Sequence, residues 1–177
     1  MKVAILTNYH LEQVGGAEEA LDRLATLWQA RHHDVTLFSS PARRQGSRRA
    51  WNPPYRYEPI RAPWSTRWGL GRYASVLKRA HAQQPIDLVV ASDAYWPGHA
   101  ARLFACETRV PYVLYSHGGD CMRGSRFLKR RVCRERMAAA VREASGIACI
   151  SRYVRERLTQ LAEPTGLVRD LLAVRRR

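Results

Sequence analysis

The sequence lacks any apolar run near the roughly 20 residues that cross a bilayer, which excludes a membrane bundle. Its first ten residues, MKVAILTNYH, hold one Lys and an apolar stretch that stops before Asn8. That is too short for the core of a signal peptide, so a cytoplasmic location is expected. Cysteine is sparse and scattered: Cys106, Cys121, Cys133 and Cys149 form no CxxC and no Cys/His cluster. They read as small buried or half-buried thiols, neither bridged nor metal-bound. Acidic residues are also few, 15 Asp+Glu against 30 Lys+Arg, for a net charge of +15. Lysine occurs only as Lys2, Lys78 and Lys129, so arginine carries the excess. This balance suits anionic partners such as nucleic acid, a membrane surface or phosphorylated ligands, although an Arg-rich background by itself selects nothing. Nucleic acid is the least supported of these, because no helix-turn-helix, zinc-finger or RNP pattern is present.

What is present describes one ordinary domain. The chain has 177 residues, 46% hydrophobic and 25% charged; a fold of that size buries roughly 70% of its unfolded surface without staples. Continuous apolar runs of the kind buried parallel strands show occur at Val3–Leu6, Asp34–Phe38, Asp87–Ala91, Tyr112–Tyr115 and Gly146–Ile150. Between them lie helical patterns. One starts near Ala17 with Leu21, Leu24 and Trp28 inward. Another runs from about Arg67 to Gln83 with Leu70, Tyr73, Ala74, Leu77 and Ala80 inward. Further helices are expected near Gly98–Cys106, Ser125–Ala144 and Ser151–Leu161. Residues 41–66 read as a long irregular loop rich in proline, arginine and aromatics, with a short strand near Tyr57–Arg61.

Strands alternating with helices at this spacing predict an α/β fold, a Rossmann-like three-layer α/β/α domain with a mostly parallel sheet. Right-handed crossovers place the C-terminal ends of all strands on one edge, where ligands bind in such sheets. That edge collects Gly15-Gly16 after the first strand, Ser92-Asp93 after the fourth, His117-Gly118-Gly119-Asp120 after the fifth and Ser151-Arg152 after the sixth. Glycines before a helix allow close backbone approach, and a helix N-terminus attracts phosphate; a plain tight turn explains Gly15-Gly16 as well. The pattern is neither GxGxxG nor GxxxxGK[ST], so dinucleotide and P-loop readings fail. A histidine at a buried strand end on the same rim is a candidate to contact substrate. Arg126, Arg130 and Arg134 recur at helical spacing and would begin a stripe continued by Cys133, Met137, Val141 and Ala144. That arrangement fits a cationic cleft or a solvated face. Residues 43–79 carry ten Lys/Arg and one Glu, hence +9, interleaved with Trp51, Tyr55, Trp64 and Trp68. This suits an anionic membrane or glycan surface, and equally a mobile solvated loop.

The order KVAILTN…VGGAEEALDRLATLWQARHHDVTLFSS, IDLVVASDAYWP, YVLYSHGGD and ASGIACISRYVRERL resembles the N-terminal domain of family 4 glycosyltransferases, one half of a GT-B fold. The resemblance covers residues 1 to about 162. It implies the acceptor-binding half of a retaining glycosyltransferase of the hexosyltransferase type, whose second domain binds the nucleotide-sugar donor. Gly15 and Gly16 would approach the donor diphosphate and His117 the transferred sugar. Asp93, Arg123, Arg126 and Arg130 would lie on the acceptor side, facing a glycan or lipid-linked acceptor. No metal or other cofactor is implied, because glycine amides and cations stabilise the leaving diphosphate. His32 departs from the pattern, since it stands where the family commonly has glycine before the second strand. After Leu161 the family pattern continues into a donor-binding domain, whereas here residues 163–177 read as a basic tail. The implied partners are therefore a nucleotide-sugar, its acceptor, a separate donor-domain chain and peripherally an anionic membrane at its inner face. The competing reading is a non-catalytic Rossmann-like domain that binds an anionic glycan or membrane surface.

Overall fold

The computed structural model describes residues 1–40, 51–60 and 66–163. Six parallel strands form one sheet: β1 (Lys2–Thr7), β2 (Asp34–Ser39), β3 (Arg56–Pro59), β4 (Leu88–Ser92), β5 (Tyr112–Ser116) and β6 (Gly146–Cys149). Their spatial order is β3-β2-β1-β4-β5-β6. The chain winds outward from β1 to β3 and then returns to the other side of β1 to start β4. This reversal puts a topological switch point between β1 and β4, where a crevice opens at the strand ends. Register is fixed by the apolar runs themselves, with Val3 beside Val35 and Leu88, and Ile5 beside Leu37 and Val90.

Successive strand residues point to opposite faces, and both faces are covered. Val3, Ile5, Val35, Leu37 and Val90 meet Leu21 and Ala25 of α1 (Gly16–Ala30). Ala4, Leu6, Phe38, Val89, Ala91 and Leu114 meet the opposite layer, made by α2 (Thr66–Gln83), α3 (Trp96–Thr108), α4 (Arg131–Glu143) and α5 (Arg152–Ala162). The inward stripes expected from sequence are the buried ones: Leu21, Leu77 and Met137 are fully covered, and Tyr73 nearly so. Each such side chain stabilises the fold by about 1.5–3 kcal/mol relative to exposure. α1 closes at His32, which takes the left-handed conformation (φ 61), so the backbone keeps a glycine-like turn at some cost in strain.

Two sequence expectations change. The helix expected over 125–144 begins only at Arg131. Residues 122–130 form successive tight turns instead, with Ser125 N–H donating to Met122 C=O (3.0 Å) and Leu128 N–H to Ser125 C=O (3.1 Å). Neighbouring Phe127 and Leu128 both turn toward the core, and Phe127 packs on Tyr95 with ring centroids 4.6 Å apart. A continued helix would also stack like charges at Arg126, Arg130 and Arg134 near its positive end. Arg126 therefore lies in a turn, Arg130 flanks the helix start, and all three arginines are exposed rather than part of the buried stripe. The short strand near Tyr57–Arg61 forms as β3, one residue earlier than expected, at the sheet edge. Much of the basic 43–79 segment, with Trp64, and all of the tail beyond Glu163 lie outside the described residues. Two of its expected anchors serve the fold itself. Trp51 Nε1 donates to Asp22 at 3.0 Å, and the Tyr55 hydroxyl donates to the same oxygen at 2.5 Å.

Candidate active site

β1 and β4 are tied at their C-terminal ends by Ser92 Oγ donating to Thr7 Oγ1 at 2.7 Å. Immediately beyond, Asp93 adopts the left-handed conformation (φ 66) and turns its carboxylate back along the rim. Oδ1 accepts the backbone N–H groups of His117 (3.0 Å) and Gly118 (3.2 Å). Oδ2 accepts the Tyr9 hydroxyl at 2.5 Å. Asp120 answers from the β5 loop, where one oxygen accepts the N–H groups of Ala94 (2.8 Å) and Tyr95 (2.7 Å) at the start of α3. The two loops are thus laced reciprocally by two buried carboxylates. Among the described residues no salt bridge reaches either of them. Burial and the nearby Asp93 charge push the Asp120 carboxyl well above the usual range, against the pull of its backbone donors.

His117 projects from this laced loop, half-buried, with Nε2 covered and without a hydrogen-bond partner. Its ring stands edge-on to Tyr115 (4.7 Å) and Tyr9 (5.6 Å). Burial lowers its pKa, opposed by Asp93 and Glu18, so the fold favours the neutral imidazole. Its two following glycines differ in purpose. Gly118 has φ 88, and a Cβ there would stand 2.6 Å from Val154 Cγ2, so glycine lets α5 pack against the loop rather than making room for a ligand. Gly119 is exposed.

The N-terminus of α1 opens onto the same rim. A Cβ on Gly15 would collide with the Glu18 carboxylate, which folds back over the helix start, whereas one on Gly16 would meet nothing within 4 Å. The fold itself therefore does not require glycine at 16. Of the residues expected at the site, Gly15, Gly16, Asp93 and His117 gather at this rim. Asp93 is 4% exposed, and both of its oxygens hold the loop. Arg123, Arg126 and Arg130 are exposed along the turns after Gly119. Tyr9 was not singled out from sequence, and Asp120 was placed on the rim without a role. Their partners lie 84 and about 26 residues away, and no local pattern marks such pairs. A cavity of about 390 Å³ lies elsewhere, beside β3 and α2, and none of these residues lines it.

A doubly wound parallel sheet with a glycine-led helix start and a strand-end histidine defines a Rossmann-like half of the GT-B architecture. Solved structures agree on the fold. Sucrose-phosphate synthase from Thermosynechococcus elongatus superposes with a TM-score of 0.73 at 13% identity, covering 95% of this chain and 47% of that one. The lipopolysaccharide outer core galactosyltransferase WaaB in its apo form gives 0.62 at 12% identity, covering 92% and 43%. UDP-GlcNAc 2-epimerase from Neisseria meningitidis, bound to UDP-GlcNAc, gives 0.61 at 13% identity, covering 93% and 44%. The chain thus spans less than half the length of these structures. No protein of curated function matches it in sequence. The chain belongs to glycosyltransferase family 4, whose model matches residues 14–166.

Proposed function

We propose that this chain is the acceptor-side half of a retaining glycosyltransferase that moves a sugar from a nucleotide-sugar to a glycan or lipid-linked acceptor. The observation that carries the reading is the convergence of the Gly15-Gly16 helix start and the unpartnered Nε2 of His117 on one rim, in a chain of this family. In the reaction the bond between the anomeric carbon and the diphosphate oxygen breaks. The acceptor oxygen bonds to that carbon on the same face, and its proton passes to the departing diphosphate. The backbone N–H groups at Gly15 and Gly16 receive the diphosphate, which displaces the Glu18 carboxylate from the helix start. Neutral His117 hydrogen-bonds the transferred sugar beside the reacting carbon. Arg123, Arg126 and Arg130 hold an anionic acceptor; the leaving charge is met by amides and cations, with no resident metal or cofactor in the scheme. The donor's remaining contacts come from a second domain, in the same protein or a separate chain. No helix among the described residues is long and apolar enough to cross a membrane. We place the domain in the cytoplasm, in peripheral contact with the inner face of an anionic membrane through its arginines.

Exposed Met122 and Val132, which flank those arginines in sequence, also fit the second reading, a non-catalytic domain holding an anionic glycan or membrane. His117→Ala in a two-domain form separates the two. Transfer is expected to fall by about 10²-fold or more, in line with loss of a transition-state hydrogen bond, with thermal stability little changed. Near-normal turnover in the folded variant removes His117 from the site.

A further inference from the structure

Tyr9 follows β1, yet its side chain reaches the ends of β4 and β5. Its hydroxyl donates to Asp93 Oδ2 at 2.5 Å, its ring meets the His117 ring edge-on at 5.6 Å, and it is the nearest side chain to the space above Gly119. Asp93 in turn holds the His117 and Gly118 backbone through its other oxygen. From this geometry we infer that Tyr9 is a positioning residue for His117: it takes up half of the Asp93 carboxylate and walls one edge of the imidazole, whose Nε2 has no hydrogen-bond partner. The inference rests on the reading of His117 as a substrate-contacting group, but the link from Tyr9 through Asp93 to the imidazole is a property of the chain alone.

The groups that face His117 bear on its charge in known directions. Asp93 from the β4–α3 loop and Glu18 from α1 favour the imidazolium. Tyr115 on β5 adds a ring edge, and buried Asp120 lies beyond Asp93. Burial outweighs the two carboxylates and favours the neutral ring. A phenol hydrogen bond stabilises and partly screens the Asp93 charge. Removing it strengthens the field that Asp93 exerts on the ring, which raises the affinity of His117 for a proton.

The test is an NMR titration of the His117 Cε1–H in the full chain, with no donor or acceptor present. Tyr9→Phe keeps the ring and removes the hydroxyl, and the His117 midpoint is expected to rise by about half a pH unit. Tyr115→Phe, which alters a neighbouring ring without touching Asp93, is expected to leave it unchanged. If Tyr9→Phe does not fold, the wild-type spectrum still decides. A slowly exchanging, downfield hydroxyl proton assigned to Tyr9 supports the contact with Asp93, and its absence overturns the proposal. An unchanged His117 midpoint in folded Tyr9→Phe, or an equal rise in Tyr115→Phe, also overturns it. Because the readout needs no transfer, a shifted midpoint in a chain that proves inactive in every enzyme form would retain the link and reject the transferase reading instead.

Discussion

Gly16 separates what the fold needs from what a ligand needs. An added methyl there meets no atom within 4 Å, and replacing a helical glycine by alanine favours folding by up to about 1 kcal/mol. Gly16→Ala is therefore expected to hold or raise the melting temperature while weakening nucleotide-diphosphate binding in a two-domain form several-fold; calorimetric titration and thermal unfolding read the two effects. Unchanged affinity would assign the glycine to the turn alone. His99 offers a second residue-scale test. It is buried on α3, its Nδ1 has no partner, and burial with Arg136 and Arg102 lowers its pKa to about 4. Its neutral form is favoured in the fold, so its contribution is complete above the unfolded value near 6.5 and is lost as pH falls toward 4. Asp120, raised rather than lowered, acts in the opposite sense over much of this window, so a variant comparison is needed. His99→Gln is expected to flatten the loss of stability between pH 7 and 4.5 by about 1–2 kcal/mol, measured by urea unfolding at both pH values. His117 was legible in the sequence because it directly follows an apolar strand, and Gly15-Gly16 because they lead into the first helical pattern. The roles of Tyr9 and Asp120 were not, because they lie in partners brought close only by the sheet.

At the scale of elements, the apolar runs placed five of the six described strands within a residue. The least legible stretch was the lead into α4. There the arginine spacing imitates a helix face, but two adjacent core side chains, Phe127 and Leu128, pull the chain into turns before Arg131. Charge pattern alone carried no burial information there, and packing decided. The edge strand β3 shows the converse. Its four residues are partly exposed, and the segment is pinned on its approach by Trp51 and Tyr55 on Asp22 of α1. Asp22→Ala removes the acceptor for both donors and is expected to cost about 1–3 kcal/mol. Hydrogen exchange should then quicken at 56–59 well before it does in β1. Equal protection of the two strands after the substitution would mean that the edge is held by its parallel pairing with β2 and not by α1.

The whole molecule is a covered sheet with its own core on both faces, so it is expected to unfold cooperatively as one unit. In the proposed function its rim supplies one wall of a cleft. Stabilising a departing diphosphate needs preorganised donors on several sides and exclusion of water. Here one helix start and one half-buried histidine lie at the rim, with a row of exposed arginines in the turns that follow, in a chain less than half the length of the structures it superposes on. The most direct measurement is transfer from a panel of nucleotide-sugars by the purified 177-residue chain, alone and combined with a donor-binding domain of the family. The account predicts no transfer above background for the chain alone and turnover when the second domain is supplied. Measurable transfer by the chain alone would contradict it.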